Sequence, residues 1–280
     1  MIVTPDNCQT LGDGLDHPES VCLGPDGDVY AGGEAGQVYH FDSSGQQHIV
    51  GSTGGFLLGI ALDGDGAIHA SDIKHQALIR VDPDGTTAIR SRGVTDRPFE
   101  VPNHGAFDAA GNFYLSESGD YWQQTTGTGF VAVVRPDDTT EMFHAGPFKF
   151  ANGVAIHPTG EWLYVAQSTA ANIVRIPLDR PNGPVEITHI LPSGTVPDGM
   201  TFAADGTLVI GCYKPDAVMV ARPDGSVETI FADPTGELLS RPTNVAIGDG
   251  KLYISNVGGW HITVVDTDME PAPIYRPSLK

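Results

Sequence analysis

The chain is short of cysteine, of lysine and of helical periodicity, and each shortage removes a class of protein. Its three cysteines, Cys8, Cys22 and Cys212, make no C-x-x-C pair and stand at no zinc-type spacing from a histidine. Cys22 and Cys212 fall in strand-like runs, where they read as core residues. Only 5 of the 15 basic residues are lysine, and the formal net charge is −20. That balance repels phosphate backbones and anionic membranes, so neither is an expected partner. No window is long and apolar enough to span a bilayer. The opening "MIVTPDNCQTLGDG" has no basic stretch followed by an apolar one, so no signal peptide is visible. No N-x-S/T acceptor occurs. A soluble cytoplasmic protein is expected, either a monomer or a small homo-oligomer.

What is plentiful is turn chemistry, with 35 glycines and 21 prolines in 280 residues. Between the turns one unit recurs six times. The copies begin "HPESVCLGPDGDVYAGG" at 17, "FLLGIALDGDGAIHASD" at 56, "VPNHGAFDAAGNFYLSES" at 101, "FANGVAIHPTGEWLYVAQS" at 150, "VPDGMTFAADGTLVIGC" at 196 and "RPTNVAIGDGKLYISN" at 241. Each has a short strand, a glycine turn, a second strand and further strand-like runs. The period of about 45 residues is that of a four-stranded propeller blade. An all-β fold follows: a six-bladed β-propeller occupying residues 1–280 as one domain. Two segments compete to complete blade 6, "MIVTPD" and "APIYRP", and the sequence leaves that choice open.

The first strand of each blade lines the central channel. Stacking the copies puts Glu19, Leu58, Asn103, Asn152, Asp198 and Thr243 at one depth. The neighbouring column is small or apolar: Val21, Ile60, Gly105, Val154, Met200 and Val245. Pro-Asp-Gly supports this registration. At 25–27, 83–85 and 223–225 it falls where a hairpin turn belongs, but at 197–199 it opens a channel strand. Asp198 is therefore placed for a site. Two carboxylates converging in a low-dielectric channel repel, and a divalent cation relieves that cost. Glu19 and Asp198 would neutralise its charge, while Asn103 and Asn152 would add carbonyl oxygens. This hard-oxygen set favours Ca²⁺, with Mg²⁺, Mn²⁺ or Zn²⁺ as alternatives. The competing reading is a hydrated polar plug.

"PNHGAFDAAGNFYLSES", "ANGVAIHPTGEWLYVAQS" and "PDGMTFAADGTL" resemble the senescence-marker/gluconolactonase family and its relatives, the paraoxonases and squid-type diisopropyl fluorophosphatase. "HPESVCLGPDGDVYAGGEAGQVY" and "VAQSTAANIVRI" also resemble strictosidine-synthase-like proteins. The resemblance implies that Glu19, Asn103, Asn152 and Asp198 hold a catalytic divalent ion, with Asp198 and Asn103 as catalytic residues. It implies hydrolysis of a small-molecule lactone or ester by water, Asp198 accepting the proton. A phosphotriesterase-like hydrolase on the same metal and a non-enzymatic ligand-binding propeller are the alternatives. Three departures shape the expected pocket. Val101 stands where sugar lactonases tend to carry arginine, His104 where they carry aspartate, and Leu58 where paraoxonases carry histidine. Apolar lactones are therefore expected over aldonolactones. His104, one residue beyond the ring, is expected to turn away from the axis by strand alternation. Leu58, His75, His104, Trp122, Tyr213, Trp260 and His261 are the candidate pocket residues, with Tyr121 and Trp122 as a lid. "DGDG" at 63–66 reads as a turn.

Overall fold

The computed structural model describes residues 1–2, 4–122 and 127–279. Six four-stranded antiparallel sheets form the blades of a β-propeller, and a two-stranded ribbon of Gly93–Val94 and Arg97–Pro98 hangs between blades 2 and 3. The innermost strands are Ser20–Leu23, Leu57–Leu62, Pro102–Phe107, Ala151–Ile156, Val196–Phe202 and Pro242–Gly248. Each hairpin turn obeys its local chemistry. In the three Pro-Asp-Gly turns, the glycine takes φ of +82°, +83° and +88° at Gly27, Gly85 and Gly225, a region closed to most side chains. The 63–66 segment is also a turn, with Asp63 Oδ1 accepting from the backbone N–H groups of Asp65 and Ala67, both at 2.9 Å.

Neither candidate segment supplies the outer strand of blade 6. Gln9–Leu11 does, pairing antiparallel with Ile262–Val264. Met1 and Ile2 instead meet blade 5, where Ala232 N donates to the Met1 carbonyl at 3.0 Å and Ile2 bridges to Ala232. "APIYRP" (272–277) crosses the far face of the ring. Ala272 N donates to Phe202 O of blade 5 at 3.1 Å, and the Arg276 guanidinium donates to Leu23 O of blade 1 at 2.8 Å. Beyond it, Gly64 N donates to Pro277 O at 2.9 Å, fastening the strap to blade 2.

Apolar residues fill the seams between adjacent blades. Phe41, Phe99, Phe113, Phe130, Phe143 and Phe148 are fully enclosed there. Each such side chain contributes about 1.5–3 kcal/mol by leaving water. Near the axis the packing is of another kind. A Cβ on Gly153 would lie 2.3 Å from the Asp198 carbonyl oxygen, and one on Gly59 2.5 Å from that of Asn103. Glycine just past the ring column lets neighbouring inner strands close up.

The inner strands are irregular at the ring. In blades 2 to 6 the pairing register shifts between Leu57 and Ile60, Pro102 and Gly105, Ala151 and Val154, Pro197 and Met200, and Pro242 and Asn244. Such bulges suspend strict alternation and re-aim side chains. This overturns the expectation for His104. Its Nε2 meets Asn244 Nδ2 at 2.5 Å, although blades 3 and 6 face each other across the ring. His104 therefore points to the axis, just past Asn103, and bridges the channel.

Candidate functional site

The bridge separates two cavities. The one on the far face is apolar, lined by Val21, Ile60, Gly105, Val154, Met200 and Val245, and covered by Ala272–Arg276. The other, of about 520 Å³, opens on the opposite face. Glu19, Leu58, Asn103, Asn152 and Asp198 all line it. Thr243, the sixth member of the column, is turned to structural use: its hydroxyl donates to Glu19 O at 2.6 Å.

The bulges explain how the ring is held. They release carbonyls of the inner strands from the ladder, and hydroxyls from the preceding blade take them up. Ser116 Oγ donates to Asn152 O at 2.6 Å, Ser118 Oγ to Ala151 O at 2.7 Å and Ser168 Oγ to Pro197 O at 2.7 Å. Ser255 Oγ reaches Glu19 O at 3.0 Å. These hydroxyls also orient the ring amides. Having given their single proton to a carbonyl, Ser118 and Ser168 only accept. Asn103 Nδ2 donates to Ser118 Oγ at 2.9 Å and Asn152 Nδ2 to Ser168 Oγ at 3.2 Å. Each Oδ1 is thereby directed away from its serine. Asn152 Oδ1 is buried and has no hydrogen-bond partner among the described residues. A buried acceptor left unmatched costs about 1–3 kcal/mol.

The two acids are equally uncomfortable. Burial pushes the Glu19 carboxyl well above the usual carboxylate range, and the nearby charges of Asp198 and Glu34 push it further. Burial raises Asp198 too, against hydrogen bonds from Asn152 and from the Gly199 backbone that favour its charged form. A divalent cation fits this set. It would satisfy the unmatched amide oxygen and remove the penalty on two ionised carboxylates.

Above the ring lies a second tier, two residues before each ring position, where the chain enters the inner strand: His17, Phe56, Phe150, Val196 and Arg241. Val101 fills the same position in blade 3 but is buried outside the lining. His17, Phe150 and Arg241 take φ of 44°, 58° and 51°, left-handed values uncommon for such residues. Tyr121 and Tyr213 complete the wall with Glu34, Ser168 and Val257. Burial and the charge of Glu19, which lines the same cavity, raise the Tyr121 hydroxyl above its ordinary pKa.

Of the seven candidate pocket residues, Leu58 and Tyr213 line the cavity. His104 lines the far cavity instead, and burial lowers its pKa to about 4. His75 Nδ1 is tied to Asp72 Oδ2 at 2.9 Å, and His261 Nε2 lies 3.2 Å from Leu238 O. Trp260 packs edge-on to His17 at 6.1 Å, outside the lining. Trp122 is 89% exposed, its ring edge-on to Tyr121, so Tyr121 alone of the expected lid pair lines the cavity. Sequence reasoning missed the orienting serines and the second tier. The signals were a serine closing the second strand of blades 3, 4 and 6, and the residue two before each ring position.

Comparison with known proteins agrees with this architecture. The profile of the SMP-30/Gluconolactonase/LRE-like region matches residues 91–258, more than half of the chain, and so spans Asn103, Asn152 and Asp198. The profile of the strictosidine synthase-like N-terminal region matches residues 6–41, around Glu19. No curated protein sequence matches the chain. Among solved structures, a gluconolactonase from Xanthomonas campestris superposes with a TM-score of 0.78 at 18% identity, covering 92% of this chain and 89% of its own. The calcium-binding protein regucalcin from Agrobacterium tumefaciens gives 0.79 at 16% identity, over 100% and 98% of the two chains. A luciferin-regenerating enzyme gives 0.76 at 14% identity, over 97% and 100%. At these identities the structures speak to the fold. The profile match, over more than half of the sequence, places the chain in the SMP-30/gluconolactonase/LRE-like family.

Proposed function

We propose that the chain is a divalent-metal-dependent lactonase whose site is the ring of Glu19, Asn103, Asn152 and Asp198. The observation that carries this reading is the unpartnered Asn152 Oδ1 beside two carboxyls held above their usual range. All-oxygen donors with two charges favour Ca²⁺. Family membership supplies the reaction class, and the regucalcin likeness is consistent with the metal. When bound, the cation would supply Lewis acidity toward the ester carbonyl and its developing negative charge.

The chain's own residues do the rest. Phe56, Leu58, Phe150 and Val196 give the lactone ring an apolar wall and limit water around it. Asp198, ionised, takes a proton from the attacking water at a carboxylate oxygen. It returns that proton to the ring oxygen as the carbon–oxygen bond breaks, releasing the hydroxy acid. Such a positioned base contributes ~10²–10⁴-fold. Asn103 and Asn152, locked by their serines, hold their oxygens in place without rearrangement during the reaction.

A panel of lactones, aryl esters and phosphotriesters, assayed with and without chelator, tests the proposal. Lactone hydrolysis that disappears with chelator and returns with calcium is expected. Hydrolysis indifferent to chelator, or confined to phosphotriesters, would refute it.

A further inference from the structure

Arg241 is out of keeping with its surroundings. The protein has 35 acidic residues, and five of its arginines pair with carboxylates, as Arg80 does with Asp63 and Asp82 at 3.4 and 2.9 Å. Arg241 lines a cavity that also carries Glu19, Glu34 and Asp198. Among the described residues, no carboxylate lies within 4.0 Å of its guanidinium, and no hydrogen bond from its side chain is formed. Residues 123–126 are Gln, Gln, Thr and Thr, which carry no negative charge.

The side chain is nevertheless positioned. Its guanidinium carbon lies 5.4 Å from the centre of the Tyr213 ring, a cation–π contact. Its backbone N–H donates to Asp216 Oδ1 at 2.5 Å, and its carbonyl accepts from Val257 N at 3.3 Å. The backbone is held at φ 51°, a conformation that costs a non-glycine residue free energy. A planar cation with free donors, fixed at a cavity mouth, matches a carboxylate. In the ring order, blade 6 faces blade 3, so the cation stands across the channel from Val101.

We infer that Arg241 is a specificity-determining residue that selects lactones bearing a carboxylate on a side arm. The inference rests on the lactonase reading of the same cavity and deepens it. The lactone ring sits against the apolar tier, and the arm reaches the exposed mouth, where the guanidinium receives it. The acidic surface would otherwise disfavour an anionic substrate, so this one cation decides whether such a molecule is accepted.

The test uses two probes on the calcium-loaded protein: γ-butyrolactone carrying a propanoate arm, and the same lactone carrying propanamide. The wild type should show a KM for the propanoate about tenfold lower than for the propanamide, the lower range for a partly exposed charged hydrogen bond. In Arg241→Met that ratio should fall toward one through KM rather than kcat, and Arg241→Lys should restore part of it. Rising salt should erode the ratio in the wild type. A ratio near one in the wild type, or an equal ratio in Arg241→Met, overturns the inference while leaving the lactonase reading intact. If neither probe is hydrolysed, the lactonase reading fails, and calorimetric binding of the same pair decides for Arg241. Tighter propanoate binding that Arg241→Met abolishes supports it, and equal binding of the two probes refutes it.

Discussion

The two ends of the channel are built by the same six strands, and they share almost no chemistry. At the open end Glu19, Asn103, Asn152 and Asp198 face a cavity where one amide oxygen has no partner among the described residues and two carboxyls resist their charge. Two residues further along each strand, Val21, Ile60, Gly105, Val154, Met200 and Val245 line an apolar space under the strap at 272–276. The fold asks only that the channel be lined, and the far end shows that side chains without polar atoms suffice for that. The open end keeps a costly arrangement that packing does not require. Costly arrangements held by dedicated partners, here the serines, mark function. His104 and Asn244 stand between the ends and keep them apart.

The sharpest break of this comparison comes from removing one ring acid. Glu19→Ala or Asp198→Ala deletes a charge and a donor together. Calcium binding by calorimetry should become undetectable, and lactone hydrolysis should fall to background. Met200→Ala at the far end should cost ~2–5 kcal/mol of stability yet leave calcium binding in place. Equal loss of binding from both ends would dissolve the distinction.

Asp198→Asn separates holding from catalysis. An oxygen donor remains, so some calcium should still bind at raised concentration. Turnover of the loaded variant should drop ~10²–10⁴-fold. Full turnover in that state would move the base elsewhere.

Deleting residues 272–280 uncovers the far end. Loss of the Phe202, Leu23 and Gly64 contacts should lower Tm by roughly 5–10 °C, as expected for a few kcal/mol in a chain of this size. Calcium affinity should not change. A weakened affinity would show that the strap reaches through to the ring.

The smallest effect is in pH. Burial raises the Glu117 carboxyl to about 7, despite backbone donors from Val101, Glu100 and Gly119. Glu19 and Asp198 are also raised. Over this interval the folded form keeps protons that the unfolded form has lost, so stability must fall as pH rises. For Glu117 the contribution is complete below about 4.5 and is lost as pH passes about 7. Metal-free Tm should therefore decline from pH 5 to 8. Calcium, which needs ionised ligands, should offset the share due to the ring. Glu117→Gln should flatten the decline that persists with calcium. A metal-free Tm that climbs across this range would contradict the assignment.

How much of this could be read beforehand follows from the repeats. Blade number and the ring column were visible because the first strands of the six copies align without gaps, and Pro-Asp-Gly distinguished Asp198 from three turn aspartates. His104 was misjudged because alternation presumes an unbroken ladder, and a bulge between Pro102 and Gly105 leaves no mark in residue types. Arg241 went unnoticed for a similar reason: its tier is set by how the strand enters the ring. The closing strand was misjudged because Gln9–Leu11 is three residues long, too short to carry a pattern.

That closing strand also bears on how the chain is made. Gln9 pairs with Val264, so the strand that precedes blade 1 finds its partner only after the sixth blade has been translated. Until then the ring is open: the outer edge of Ile262–Asp266 lacks its partner strand, and the apolar faces that blades 1 and 6 press together stand uncovered, both liable to aggregation. Contacts so distant along the chain also form slowly. The net charge of −20 keeps such open rings apart by repulsion, which gives the acidic surface a task during biosynthesis.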